Sequence, residues 1–242
     1  MALKDGDIVQ IDFTAKDKEK QEIFDTTNEQ KAIEAGIYNK DFNYQPLTLI
    51  LGNHEILPEL EENLKTMKIG ENKNIQINSS KAFGERKAEL VRLVPLQEFK
   101  NRNIMPVPGL AVSLNDMQGR VQTVSGGRVR VDFNHPLAGK TLEYDIKVVD
   151  QITDKNEKMK AIAKKYLPFV NSENVKSGNA EVSIELDGKD FFKSMHGRHH
   201  TAVALLKYLD DVKKVKFIDE FKKEDLKNYN KTEEHEHSEE EN

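Results

Sequence analysis

Side chains able to do covalent or metal chemistry are few and scattered in this 242-residue chain. There is no cysteine, which excludes disulfides, thiolate metal sites and a cysteine nucleophile together. His196, His199 and His200 flank Arg198 near the start of a helix, and His235 and His237 sit in an acidic tail. Two tail histidines without a thiolate make a poor ligand set, so these residues read as solvated polar groups. No metal and no cofactor is expected. His135 reads as a structural turn residue, and Gly126-Gly127 as a hairpin turn, not a phosphate loop. Asp25 taken singly is a turn carboxylate beside Thr26 and Thr27. Phe13, Phe24, Leu49 and Ile56 taken singly are core residues. Any function for them must come from their arrangement.

That arrangement depends on the elements that carry them. Hydrophobic residues make up 37% of the chain and charged residues 33%, a polar balance that still folds, and the length suits two or three domains. The net charge is −5. Much of it lies in Glu233, Glu234, Glu236, Glu239, Glu240 and Glu241, so the rest is close to neutral and a nucleic-acid surface is not expected. No segment resembles a signal or a membrane span, so no membrane partner is expected and the expected location is the cytoplasm.

Val9, Ile11 and Phe13 alternate with polar residues as in a half-buried strand. Glu29 to Gly36 predicts a short helix ended by glycine, and Leu57 to Met67 another with proline in its first turn. Leu90–Val94, Leu110–Leu114, Arg120–Val124 and Arg128–Phe133 predict short strands, and Thr141–Val149 a longer one. Beyond Gln151, Met159, Ile162 and Tyr166 share a helical face. Val182, Ile184 and Leu186 alternate, and Arg198 to Leu209 reads as helix.

Several segments occur in an order that resembles a known family. They are Glu22-Ile23-Phe24-Asp25-Thr26-Thr27, Pro46-Leu47-Thr48-Leu49-Ile50-Leu51-Gly52 and Ile56-Leu57-Pro58-Glu59-Leu60-Glu61. Met67-Lys68-Ile69-Gly70-Glu71 and Lys81-Ala82-Phe83-Gly84-Glu85-Arg86 follow. Most specific is the run from Val131 to Leu142 with Asn134-His135-Pro136-Leu137-Ala138-Gly139. Over about residues 4 to 152 the chain resembles FKBP-type peptidyl-prolyl cis/trans isomerases of the SlyD-like kind, with a domain inserted in the flap. The module beyond resembles the long-chain archaeal branch.

The resemblance implies an α+β architecture: an FKBP fold, a curved antiparallel sheet around a short helix, with a small inserted β domain and a C-terminal α+β domain. The implied boundaries are 1–85 with 132–152 for the isomerase, 86–131 for the insert, 153–228 for the C-terminal domain, and 229–242 for a disordered acidic tail. The implied catalytic positions are Asp25, Phe24, the backbone N–H of Leu57, Phe83 and Tyr144, with Phe13, Leu49, Ile56 and Leu60 binding substrate. Leu60 stands where most single-domain relatives carry a tryptophan floor, and Phe83 where a tyrosine is commoner.

Such a site needs no metal, nucleophile or base. An Xaa-Pro bond isomerises over a barrier of ~20 kcal/mol, and its twisted amide is less polar than either planar form. A dry apolar pocket therefore favours the twisted state over the planar ones. In the insert, Ile104, Met105, Val107 and Met117 are expected to offer an apolar chaperone surface. The expected partners are unfolded or partly folded proteins containing Xaa-Pro bonds, and a second copy through the C-terminal domain, where Ala202, Leu205, Leu206 and Leu209 lie on one face. The rival reading is a non-catalytic holdase on the same fold.

Overall fold

The structure is a computed structural model that describes residues 2–223. The acidic tail, with His235 and His237, lies outside the described residues. In chain order the elements are β1 (Ile8–Asp17), β2 (Ile23–Thr26), α1 (Glu29–Glu34), β3 (Leu47–Ile50), α2 (Pro58–Thr66) and β4 (Asn72–Ile77). Then come β5 (Val91–Pro95), α3 (Leu96–Lys100), β6 (Ala111–Leu114), β7 (Met117–Ser125), β8 (Arg128–Asp132) and β9 (Leu142–Ile152). The last five are α4 (Lys155–Tyr166), β10 (Val175–Gly178), β11 (Glu181–Asp187), α5 (Phe191–Tyr208) and β12 (Lys214–Glu220). No helix among the described residues is long and apolar enough to cross a membrane.

The chain divides into two compact units. The first comprises Ile11–Leu47 and His54–Val149 together with the N-terminal residues up to Leu3. Its larger sheet has the order β2-β1-β9-β4, with β3 pairing β1. The β1–β2 and β4–β9 pairs are antiparallel. The short helices follow local rules. The Asn28 side chain caps α1 by accepting the Lys31 N–H at 2.9 Å, and Gly36 ends that segment with φ +71°, the left-handed turn that glycine takes without steric cost. Helix α2 opens with proline at its first position, where no helix-internal N–H is missed.

The second sheet of this unit has the order β5-β8-β7-β6, antiparallel throughout. Gly126 and Gly127, both at positive φ, make the tight turn between β7 and β8. Asn115 and Asp116 do the same between β6 and β7, and such turns match the strand twist. Phe99 of α3 is fully buried among Val112, Leu114, Val121, Val129 and Val131. Helix α3 has five residues, too short to leave a helical period in the sequence, yet it supplies the largest side chain of that core.

The second unit comprises Lys4–Gln10, Thr48–Asn53 and residues 150–223. Its sheet runs β10-β11-β12. The antiparallel β10–β11 pair is followed by a parallel β11–β12 pair joined through α5, the crossover that parallel pairing requires. The two N-terminal segments are tied in by hydrogen bonds. Gly6 N–H donates to the Leu51 carbonyl at 2.8 Å, and the Tyr208 hydroxyl donates to Asn53 Oδ1 at 2.9 Å. Ile8 and Ile50 belong to its core with Ile162, Leu167, Ile184 and Leu205.

Helix α5 begins at Phe191, not at Arg198. Gly197 lies inside it, at a point where a Cβ would fall 2.2 Å from the Tyr166 carbonyl oxygen. Close packing of α4 on α5 requires glycine at that point. The face expected around Ala202 divides: Leu205 and Leu209 are buried, whereas Leu206 is exposed together with Phe192, Met195 and Val203.

Candidate active site

Within the first unit, residues from four strands, one turn and one helix start surround a cavity of about 500 Å³. Adjacent strands β1 and β9 each contribute an i, i+2 pair, Ile11 with Phe13 and Tyr144 with Ile146. These are successive residues on one face of a pleated strand. Ile56, Leu57, Pro58 and Leu60 enter from the start of α2, Leu47 from β3, Asp25 from β2, and Phe83 from the turn before the inserted sheet. His54 and Glu55 complete the rim.

The aromatic walls are fixed by one another. The Tyr144 ring lies 6.5 Å from Phe13, tilted at 39°, and 6.1 Å from Phe24, edge to face at 84°. Edge-to-face and tilted pairs are the favoured contacts of ring quadrupoles. Phe24 does not line the cavity; it buttresses Tyr144. Its position follows from a bulge: Ala15 pairs with Asp25 and Lys16 with Ile23, so Phe24 is the extra residue between them. A bulge re-aims side chains, and here Phe24 reaches Tyr144 while Asp25 still reaches the cavity.

Polar groups at the cavity are few. Burial raises the pKa of the Asp25 carboxyl, against the Thr26 N–H, which lowers it. Burial, and then the charge of Asp25, push the Tyr144 hydroxyl up to about 12, so it is a neutral donor throughout the physiological range. The Tyr144 side chain is only 9% exposed, yet its hydroxyl has no protein partner among the described residues and is not sealed off. It opens to the cavity. The Leu57 carbonyl accepts the Leu60 and Glu61 N–H groups as α2 begins, while among the described residues the Leu57 N–H has no acceptor. An unpaired donor beside an apolar hollow can hold a carbonyl oxygen.

Of the residues singled out from sequence, Phe13, Asp25, Ile56, Leu57, Leu60, Phe83 and Tyr144 line the cavity. Leu49 does not. It is 2% exposed, and it is Leu47, two residues earlier in β3, that reaches the hollow. Ile11 and Ile146 were legible as the same-face neighbours of Phe13 and Tyr144. Nothing in the residue types marks His54 or Glu55. In the inserted domain, Met105 is 83% exposed, and Leu93 and Val107 are exposed with it. Ile104 differs from the expectation of an outward residue, since it packs against the core around Phe99; Met117 is half-buried. His196, His199 and His200 lie on α5, His200 stacked on Tyr166 at 5.7 Å. Among the described residues no group of three or more potential ligands is placed to hold a metal.

The sequence is similar to those of known proteins. The family model of the FKBP26 IF domain matches residues 92–137. A short-type peptidyl-prolyl cis-trans isomerase of Methanocaldococcus jannaschii is 33% identical over 148 residues, 61% of this chain and 93% of that protein. A probable FKBP-type 16 kDa isomerase of Pseudomonas fluorescens is 35% identical over 114 residues, 45% of this chain and 75% of its own length. The FKBP-type isomerase SlyD of Helicobacter pylori is 31% identical over 116 residues, 47% of this chain and 63% of that protein.

Proposed function

The chain belongs to the FKBP-type peptidyl-prolyl cis-trans isomerase family, and we propose that its 500 Å³ cavity turns over Xaa-Pro bonds in unfolded or partly folded proteins, which the inserted domain holds. The observation that carries this reading is the composition of the cavity wall. Aromatic and aliphatic side chains surround the Asp25 carboxyl, the neutral Tyr144 hydroxyl and the Leu57 N–H, with His54 and Glu55 at the rim.

Each part has a task in the rotation. Leu57 N–H receives a substrate carbonyl and fixes the chain on one side of the proline. The ring enters between Phe13, Tyr144 and Ile56, where water is excluded and the less polar twisted amide is favoured over the planar one. Asp25 faces the rotating carbonyl, and Tyr144 stands ready to donate to it as its orientation changes. No bond is made or broken. With a barrier of ~20 kcal/mol to lower, every contact acts only to the extent that it is stronger in the twisted state.

NMR exchange on a short Xaa-Pro peptide tests this, comparing the native chain with an Asp25→Ala, Phe24→Ala double variant. Acceleration that disappears in the folded variant supports the isomerase site. A native chain that leaves exchange untouched, yet suppresses aggregation of an unfolded client, supports the holdase instead. For self-association the exposed α5 residues Phe192, Met195, Val203 and Leu206 are the proposed surface, and a monomer mass by light scattering excludes it.

A further inference from the structure

Phe83 is the most exposed of the Phe and Tyr rings that line the cavity, at 37% exposure, and it follows a single 3-10 turn at Ser79–Lys81. No aromatic ring of the sheet lies against it. Its face is covered from the other side of the inserted domain, where the chain returns: the His135 ring lies 4.2 Å from the Phe83 ring, within 4° of parallel.

The turn that carries His135 is pinned at both ends to the segment that follows Phe83, at Gly84 and at Arg86 and Lys87. On one side Asn134 Oδ1 accepts the Lys87 N–H at 2.8 Å while its Nδ2 donates to the Lys87 carbonyl at 2.9 Å. Asn134 is itself held by Asp132, whose Oδ1 takes the Asn134 N–H at 3.0 Å and its amide at 2.7 Å. Asp132 Oδ2 accepts from Arg86 at 2.5 Å. Burial by itself would raise the Asp132 carboxyl, but Arg86 and Asn134 hold it below the usual range, so the clamp is charged at neutral pH. On the other side the Gly139 N–H donates to the Gly84 carbonyl at 2.8 Å. A Cβ on Gly139 would meet that of Arg86 at 3.1 Å. Between these anchors the ring is fixed in rotation, because His135 Nδ1 accepts the Leu137 N–H at 3.1 Å.

We propose that His135 is a positioning residue of the isomerase, which holds the Phe83 ring as the outer wall of the cavity and thereby sets substrate affinity. The inference rests on the cavity being the isomerase site. The turn ties that wall to both segments that connect to the inserted domain, so the wall is built by both ends of the insertion.

Two substitutions separate the ring from the hydrogen bond. His135→Asn keeps an acceptor for the Leu137 N–H and removes the ring. His135→Phe keeps the ring and removes the acceptor. With an Ala-Leu-Pro-Phe peptide and NMR exchange across peptide concentrations, His135→Asn should raise KM about three- to tenfold, the scale of one aromatic pair. Its kcat should stay within about twofold. His135→Phe should restore KM, and the Phe83 ring resonances should move in the Asn variant only. A wild-type KM in His135→Asn, or a His135→Phe as impaired as His135→Asn, overturns the proposal. If the wild-type chain itself shows no turnover, it is the reading of the cavity that fails, and the ring shifts still report whether the stack exists.

Discussion

The cavity and the inserted sheet use apolar side chains in opposite ways. Around the cavity the rings hold one another: Phe24 against Tyr144, Phe13 against Tyr144, His135 against Phe83. In the inserted domain Leu93 of β5 and Met105 of the loop before β6 are exposed, at 61% and 83%. A site that favours one twisted geometry gains from fixed walls, whereas a surface for many chains gains from side chains that adapt, as methionine does. Neighbouring parts of one compact unit thus differ in stiffness for reasons visible residue by residue.

The sharpest way to break that contrast is to remove the one large side chain in the inserted core. Phe99→Ala should cost about 3–5 kcal/mol locally, because Phe99 is fully buried in a small set of valines and one leucine. Amide exchange should then lose protection across β5–β8 while β1 and β9 keep theirs, and short-peptide turnover should survive in reduced form. Uniform loss of protection through both sheets would show that the two regions fold as one unit and that their difference is only one of surface.

A smaller effect is expected at the Asp25 carboxyl of the cavity. Burial raises the Asp25 pKa in the folded state, so the folded chain binds that proton more tightly than the unfolded one. The associated stability is complete below the unfolded pKa and is lost as pH rises through the folded pKa. Asp25→Asn removes that loss. The variant should gain in melting temperature relative to wild type between pH 3 and pH 7, while kcat/KM for a short peptide falls on the order of tenfold, the scale of one polar contact. A variant that loses both stability and turnover would make Asp25 a structural carboxylate of the β2 turn.

Much of this architecture was legible before the structure. Alternation located β1 and β9, the glycine pair located the β7–β8 turn, and ordered motifs located Asp25, Ile56, Leu57, Leu60, Phe83 and Tyr144 at one cavity. What stayed hidden was long-range or subtractive. Leu49 has the same type and strand face as Leu47, and only packing distinguishes them. The bulge that turns Phe24 onto Tyr144 depends on a register shift between β1 and β2, which neither strand encodes alone. The start of α5 at Phe191 runs through Gly197, whose reason, the Tyr166 carbonyl 2.2 Å from a would-be Cβ, lies on another helix. The union of Lys4–Gln10 and Thr48–Asn53 with the C-terminal module rests on contacts such as Tyr208 to Asn53, more than a hundred positions apart in the chain. His54 and Glu55 reach the cavity rim through a turn in which His54 takes φ +55°, a backbone choice its side chain does not announce.

The smallest predicted change tests the outward-facing side of the comparison. Met105 gives up almost none of its surface to the folded chain, so Met105→Ser should alter stability by less than about 0.5 kcal/mol. If client chains cover it, its transfer out of water adds to their binding. Partial cover of one such side chain is worth about 1 kcal/mol, which is roughly a fivefold change in affinity. Fluorescence anisotropy with a permanently unfolded, labelled client measures the affinity, and exchange on a short peptide measures the cavity in the same preparation. Weaker client binding with unchanged peptide turnover places capture and rotation on separate surfaces. A fall in both would mean that a bound peptide touches Met105 while its proline is in the cavity, and the distinction between a stiff site and an adaptable one would then describe two ends of a single groove.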